Sequence, residues 1–214
     1  MSKTDTTVKT SKRTGRRRWN GTDLGLIAVF AALVAGAALV PGLALNGFGV
    51  PITFQTLAVM LTGLVLGPAR GFAAVGLYTL LGLAGLPIFS QGRSGLGILA
   101  GPSAGYIIAF PIAAGVVGWL ATIVIRRTTK ARAFWFFLSA TATSVVFVHT
   151  LGILGIAVNS KATLEQAFVS DLVFYPGDII KNILAAAIAV ALHRAFPDVL
   201  VRRVRRSALP AESA

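Results

Sequence analysis

Residues 173–187 read VFYPGDIIKNILAAA, and three side chains in this run can do chemistry. Counted from Pro176, which suits the first turn of a helix, Asp178 and Lys181 stand three positions apart and Asn182 four beyond the aspartate. All three therefore share one helical face. A carboxylate offers acceptors, an ammonium offers donors, and an amide offers both. Together they can grip a small polar molecule, or Asp178 and Lys181 can simply pair, with the aspartate also favoured near a helix N-terminus. A third use is proton transfer, with Asp178 as a general base beside His149, which would make the site an enzyme's. Which of these holds depends on the solvent around the helix.

That solvent is lipid. The 214 residues are 55% hydrophobic and 13% charged, with a mean hydropathy of +0.78, outside the balance of a water-soluble domain. No charge occurs in the 46 residues between Asp23 and Arg70, the 22 between Arg70 and Arg93, the 32 between Arg93 and Arg126, or the 28 between Arg132 and Lys161. A hydrocarbon core about 30 Å thick takes roughly 20 helical residues to cross. The longest run must hold two crossings, broken by Pro41, Gly42, Asn46, Gly47, Gly49 and Pro51. The expectation is an all-α integral membrane protein with helices near 22–41, 52–67, 71–88, 102–125, 134–157 and 171–194. An ionisable group inside such a bundle costs about 2.5 kcal/mol or more, so Asp178 and Lys181 need partners. A buried pair alone stabilises poorly, which favours a ligand cavity over simple pairing.

Charge placement orients the helices. Lys3, Lys9, Lys12, Arg13, Arg16, Arg17 and Arg18 precede the first helix, and Arg202, Arg203, Arg205 and Arg206 follow the last. Cytoplasmic loops are enriched in Lys and Arg, so six crossings put both termini, the turn at Arg70 and the RRTTKAR loop at 126–132 in the cytoplasm. Arg93 and Lys161 fall outside. Trp19, Trp119 and the FWFF run at 134–137 suit the membrane interface. The expected organisation is a basic cytoplasmic tail at 1–20, a six-helix membrane domain at 21–195, and a second basic tail at 196–214. The run after RRRW is too long for a signal peptide's core and lacks a clear cleavage site, so it reads as a retained helix.

A net charge of +13 might suggest nucleic acid, but the cations flank membrane segments with no reading module around them, so anionic lipid is the expected partner. Without cysteine, disulfides and thiolate sites are excluded. No H-E-x-x-H and no G-x-x-x-x-G-K-[ST] occurs, so neither the usual zinc site nor a phosphate cradle is present. No metal or cofactor is expected. There is no fixed-period repeat.

Two glycine-rich stretches lie on the predicted outer side, GFGVPITFQTL at 47–57 and GLPIFSQGRSGLGILAGPSAGY at 85–106. Non-helical backbone cannot face lipid and must meet water, protein or a cavity. The second stretch has the composition of an exposed loop, yet it interleaves Ile88, Phe89, Leu96, Ile98, Leu99 and Tyr106 with Gln91 and Arg93. That much apolar surface suits a lid folded onto the bundle.

The run PITFQTLAVMLTGLVLGPARGFAAVGLYTLLGLAGLPIF, then GILAGPSAGYIIAFPIAA, then FYPGDIIKNILAAAIA together resemble the BioY family, the biotin-specific S components of energy-coupling-factor transporters. The likeness covers about residues 22–195 and rests on the three blocks in order. It implies a six-helix protein of the cell membrane that binds biotin with high affinity from the outer side, performs no catalysis, and works with a transmembrane T component and two ATPase subunits. In that family an Asp-x-x-Lys on the sixth helix and the loop between helices three and four hold the vitamin. These map to Asp178, Lys181 and the segment from Phe89 to Tyr106. Biotin's ureido ring, with two N–H donors and a carbonyl, can be met by a carboxylate and an ammonium together, and its valerate by a cation such as Arg93. Gln91, Gln55 and Asn182 join the expected ligand set. His149 either lines the same cavity or is a satisfied packing histidine.

Relatives dock their T component on the first helix through small residues. Here Ala28-x-x-x-Ala32-x-x-x-Gly36 and Ala31-x-x-x-Ala35 form two smooth faces suited to close helix approach, either to that partner or within the bundle. A different small carboxylate or vitamin, and a membrane enzyme using Asp178 and His149, stand as the alternative functions.

Overall fold

The computed structural model describes residues 19–200 apart from Leu43, Thr129 and Asp198; the expected basic tails therefore lie almost wholly outside the described residues. Asn20 opens the first helix with a capping box, its side chain accepting from the Asp23 N–H while Asp23 accepts from the Asn20 N–H. α1 (Gly21–Leu39), α2 (Gln55–Leu66), α3 (Pro68–Leu83) and α4 (Ala104–Arg127) follow in order, then α5 (Arg132–Thr143), a π-helical turn (Ser144–His149), α6 (Thr150–Asn159), α7 (Leu164–Asp171) and α8 (Tyr175–Ala195). α5 runs through the π turn into α6, and α7 through a 3₁₀ turn at Leu172–Phe174 into α8.

Among the described residues four helical runs are long and apolar enough to cross a membrane: Gly21–Leu39, Ala104–Arg127, Arg132–Asn159 and Leu164–Ala195. The chain is a multi-pass membrane protein. α2 and α3, at 12 and 16 residues, are shorter than the expected spans 52–67 and 71–88. Pro51 to Phe54 stay non-helical before α2, and Gly85 with φ 114° ends the path of α3. The last run begins earlier than residue 171, at Leu164, because Thr163 and Gln166 form a second capping box there.

Helices pack closely through glycines. A Cβ on Gly71 would lie 3.0 Å from the Gly63 Cα and 3.2 Å from the Ala114 carbonyl oxygen, so α2, α3 and α4 meet almost backbone to backbone. Gly105 on α4 sits against Leu151 and Gly152 on α6 in the same way. α1 packs on α3 and α2, and α8 on α2 and α5. One of the two smooth faces expected on α1 is spent inside the bundle. Ala31 is buried and Ala35 half-buried against the core, whereas Ala28, Ala32 and Gly36 point outward.

Arg70 is not an exposed turn cation. It sits in the first turn of α3, buried, with its guanidinium 3.2 Å from Asp23 and donating to the carbonyls of Leu66 and Val199. Leu200 packs under Gly67, so the start of α1, the α2–α3 turn and the chain beyond α8 are tied at one end. Trp19, Trp119, Phe134 and Trp135 are exposed on the outside of the bundle, while Phe136 turns into the core.

Two alanine substitutions test the glycine contacts. Gly105→Ala places a methyl group against the α6 backbone and should destabilise by about 1–3 kcal/mol, seen as a lower melting temperature in detergent. Gly36→Ala, where nothing lies within 4 Å, should change it little.

Candidate functional site

The face of α8 that carries Asp178 turns inward. Its helical spacing brings the Lys181 Nζ to 2.9 Å from Asp178 Oδ1, and the Thr56 hydroxyl on α2 donates to the same oxygen at 2.9 Å. The other carboxylate oxygen faces His149 Nε2 at 3.4 Å. His149 Nδ1 lies 2.8 Å from Asp171 Oδ2, and the Tyr106 hydroxyl donates to Asp171 Oδ1 at 2.6 Å. A continuous polar string thus runs Tyr106, Asp171, His149, Asp178, Lys181, drawn from α4, α7, the π turn and α8. The Tyr175 ring stacks on the imidazole at 4.2 Å. Each carboxylate in the string faces polar groups on both of its oxygens, as a low-dielectric interior demands.

The string borders a cavity under the two glycine-rich segments. Phe89, Ile98, Tyr106, Ile107, Phe110 and Phe174 give it apolar walls, and Thr53, Gln55, Thr56, Ser90, Arg93, Ser103, His149, Asp178 and Lys181 give it polar ones. The free volume of the cavity is about 50 Å³. The Ser90 and Ser103 hydroxyls are buried without a partner among the described residues. Such groups in a cavity wall are free to meet a ligand.

The segment between α3 and α4 is the lid that its apolar residues anticipate. Two 3₁₀ turns, Ser90–Gly92 and Leu96–Ala100, fold it over the cavity. Phe89 is buried edge-on against Tyr78, with ring centroids 5.5 Å apart. Gly95 takes φ 81° and donates its N–H to the Gly82 carbonyl, a conformation that favours glycine. At the other edge, the Asn159 amide donates to the carbonyls of Leu99 at 3.0 Å and Gly101 at 2.8 Å.

Most of the expected ligand residues come together here. Asp178, Lys181, Phe89, Tyr106, Arg93, Gln55 and His149 all line the cavity. Gln55 is partly committed, its amide nitrogen donating to the Tyr78 hydroxyl at 2.7 Å. Arg93 donates from Nε to the Ser90 carbonyl at 3.4 Å, and among the described residues no carboxylate pairs with it. Gln91 and Asn182 fall elsewhere. Gln91 is exposed on the lid with φ 62°, and Asn182 is buried toward α5, its amide 3.4 Å from the Thr141 hydroxyl. Asp171 and Thr56 are additions to the set. Asp171 stands two helical turns before Asp178, a seven-residue spacing that puts both carboxylates on one side, whereas nothing local marks Thr56.

The family model for the BioY family matches residues 9–198. The chain belongs to the BioY family. It is 37% identical over 177 residues to the biotin transporter BioY of Rhizobium etli, covering 82% of this chain and 95% of that one. It is 40% identical over 187 residues to the biotin transporter BioY of Rhodobacter capsulatus, covering 83% and 96%. A crystal structure of the S-component for biotin from an ECF-type ABC transporter superposes with a TM-score of 0.75 at 31% identity, over 81% of this chain and 91% of that one. The bundle described above is thus the S-component fold.

Asn159 offers a direct test of how the BioY lid is held. Asn159→Ala removes both hydrogen bonds and should raise amide hydrogen exchange across residues 95–101 severalfold, leaving residues 110–120 of α4 unchanged. Equal exchange in both proteins would mean that apolar contacts alone hold the lid.

Proposed function

We propose that this chain binds biotin and takes it up across the cell membrane as the substrate-specific S component of an ECF-type transporter. The observation that carries this reading is the buried Asp178–Lys181 pair at the wall of a lidded, largely apolar cavity, in a chain whose relatives are biotin transporters. The ureido ring needs acceptors for two N–H groups and a donor for its carbonyl. A carboxylate and an ammonium 2.9 Å apart supply both. Among the described residues only one of the three ammonium N–H groups of Lys181 is used, leaving donors for the carbonyl. Phe89, Tyr106 and Phe174 flank the thiophane. The valerate carboxylate meets Arg93 with the hydroxyls of Ser90 and Ser103. Other small carboxylates lack the ureido pattern, and competition by such acids separates the two readings. The chain's own part is binding rather than catalysis.

The membrane domain of residues 21–195 crosses the membrane six times, with both termini cytoplasmic. The two short helices complete their crossings through the non-helical segments that line the cavity, where backbone can be packed in protein. In support, Arg126, Arg127, Lys130, Arg132 and Arg194 border helix ends on the side where Arg70 joins Asp23 and Val199. The positive-inside tendency makes that side cytoplasmic. A T component docks along α1 on the outward Ala28, Ala32 and Gly36 face, with two ATPases energising transport.

Three measurements check this reading. Terminal tags should be protected in intact cells and accessible in inverted vesicles; opposite accessibility of the two ends would require an odd number of crossings. Calorimetric titration should give at least a tenfold loss of biotin affinity for Asp178→Asn and for Lys181→Met, since an unpaired buried partner costs about 1–3 kcal/mol. Wild-type affinity in well-folded variants would make the pair structural only. Arg93→Gln should weaken biotin by about 1.5–3 kcal/mol more than it weakens the uncharged biotin amide, because only the acid loses a charge-assisted bond. Equal losses would move the carboxylate contact to another group.

A further inference from the structure

We propose that His149, clamped by Asp171, is the positioning residue for Asp178: it holds the cavity carboxylate in place as an imidazolium, and biotin affinity depends on that proton. The proposal rests on biotin as the ligand and on Asp178 as its ureido partner. Its geometry is independent of both. Each ring nitrogen faces a carboxylate oxygen, Nδ1 at 2.8 Å from Asp171 and Nε2 at 3.4 Å from Asp178. A neutral imidazole has one N–H and one lone pair, so it would have to aim that lone pair at one of the carboxylates. The doubly protonated ring satisfies both.

Charge balance agrees. Asp171 and Asp178 carry two negative charges, and Lys181 with the imidazolium carries two positive ones, so the cluster is neutral within the membrane domain. Among the described residues the titratable groups around the ring are Asp171 from α7, Asp178 and Tyr175 from α8, and, one step out on the two carboxylates, Tyr106 from α4 and Lys181 from α8. Asp171 is fully buried and does not line the cavity. Its remaining oxygen takes the Tyr106 hydroxyl at 2.6 Å, and Tyr175 stacks on the imidazole face. The ring is therefore fixed in plane and direction, with an orienting carboxylate behind it, the arrangement by which an outer partner sets the tautomer and aim of a histidine. Asp178 in turn receives Thr56 and Lys181 on one oxygen and faces His149 on the other. Contacts from three elements settle where its acceptor lone pairs point. A histidine that merely fills space would need none of this.

The chain has two histidines, so protein labelled with ¹⁵N-histidine gives two imidazole spin systems, and His193→Gln assigns them. In detergent at about pH 7, a value where an ordinary histidine is largely neutral, His149 should show both nitrogens protonated. A neutral His149 there overturns the proposal. Biotin and biotin amide are then titrated across pH. Affinity should stay constant where the imidazolium signal persists and fall where it is lost, by up to tenfold per pH unit. His149→Gln should weaken both ligands by the same factor, about tenfold, because the effect acts at the ureido end, in contrast to Arg93→Gln. Unchanged affinity in folded His149→Gln protein would make His149 a packing residue. If that variant does not fold, Asp171→Asn must weaken both ligands equally or the positioning role fails. Wild-type protein that binds no biotin would sink the proposed function, while the protonation result would still stand or fall alone.

Discussion

A charge placed in hydrocarbon must find its counter-charge inside the protein, and much of this fold follows from how Asp178 does so. One aspartate gathers Lys181 from its own helix, Thr56 from α2 and His149 from the π turn, and His149 brings Asp171 and Tyr106 with it. Removing one member would leave another buried and unbalanced, a loss of about 3–5 kcal/mol for an ion pair. The polar string therefore acts as a set of mutual constraints on α2, α4, α7 and α8. It fixes their rotation more narrowly than apolar side chains can, because lipid and core are equally hospitable to leucine.

Around that string the bundle achieves its closeness by leaving side chains out. Gly63, Gly71, Gly105 and Gly152 stand where backbones nearly touch, and Pro68 at the start of α3 follows a glycine with φ 80°. The lid covers the end of the bundle that holds the cavity. Its burial of Phe89 and Ile98 explains how so glycine-rich a segment stays folded: the apolar side chains anchor it while the glycines supply left-handed turns between them.

The sequence made the membrane class readable because uncharged runs long enough to cross a bilayer have few other uses. The Asp178–Lys181 contact was readable from its three-residue spacing alone. Asp171 lies on the same face, but a lone carboxylate near a helix start carries no signal that separates a site residue from a cap. His149 could be named but not given a role, because its partners come from another helix. The two short helices misled for a physical reason. Residues such as Ile52 and Ile88 are apolar enough for a transmembrane helix, yet they lie in non-helical segments packed against the core. Ala31 and Ala28 illustrate a further limit: small residues suit both a bundle interior and an outward docking face, and only packing tells them apart.

The π turn between α5 and α6 holds one residue more than an α-helical path would need. One residue corresponds to about 100° of helical rotation, so this extra residue sets the azimuth of everything that follows until the chain turns at Ser160. Both His149 and Asn159 lie on the rotated portion, one reaching the aspartates and the other holding the lid. The floor and the roof of the cavity are thus geared to a single wound step. A conformational change that slid this step along the helix, or flattened it, would turn the histidine away from the carboxylates and release the lid in the same motion.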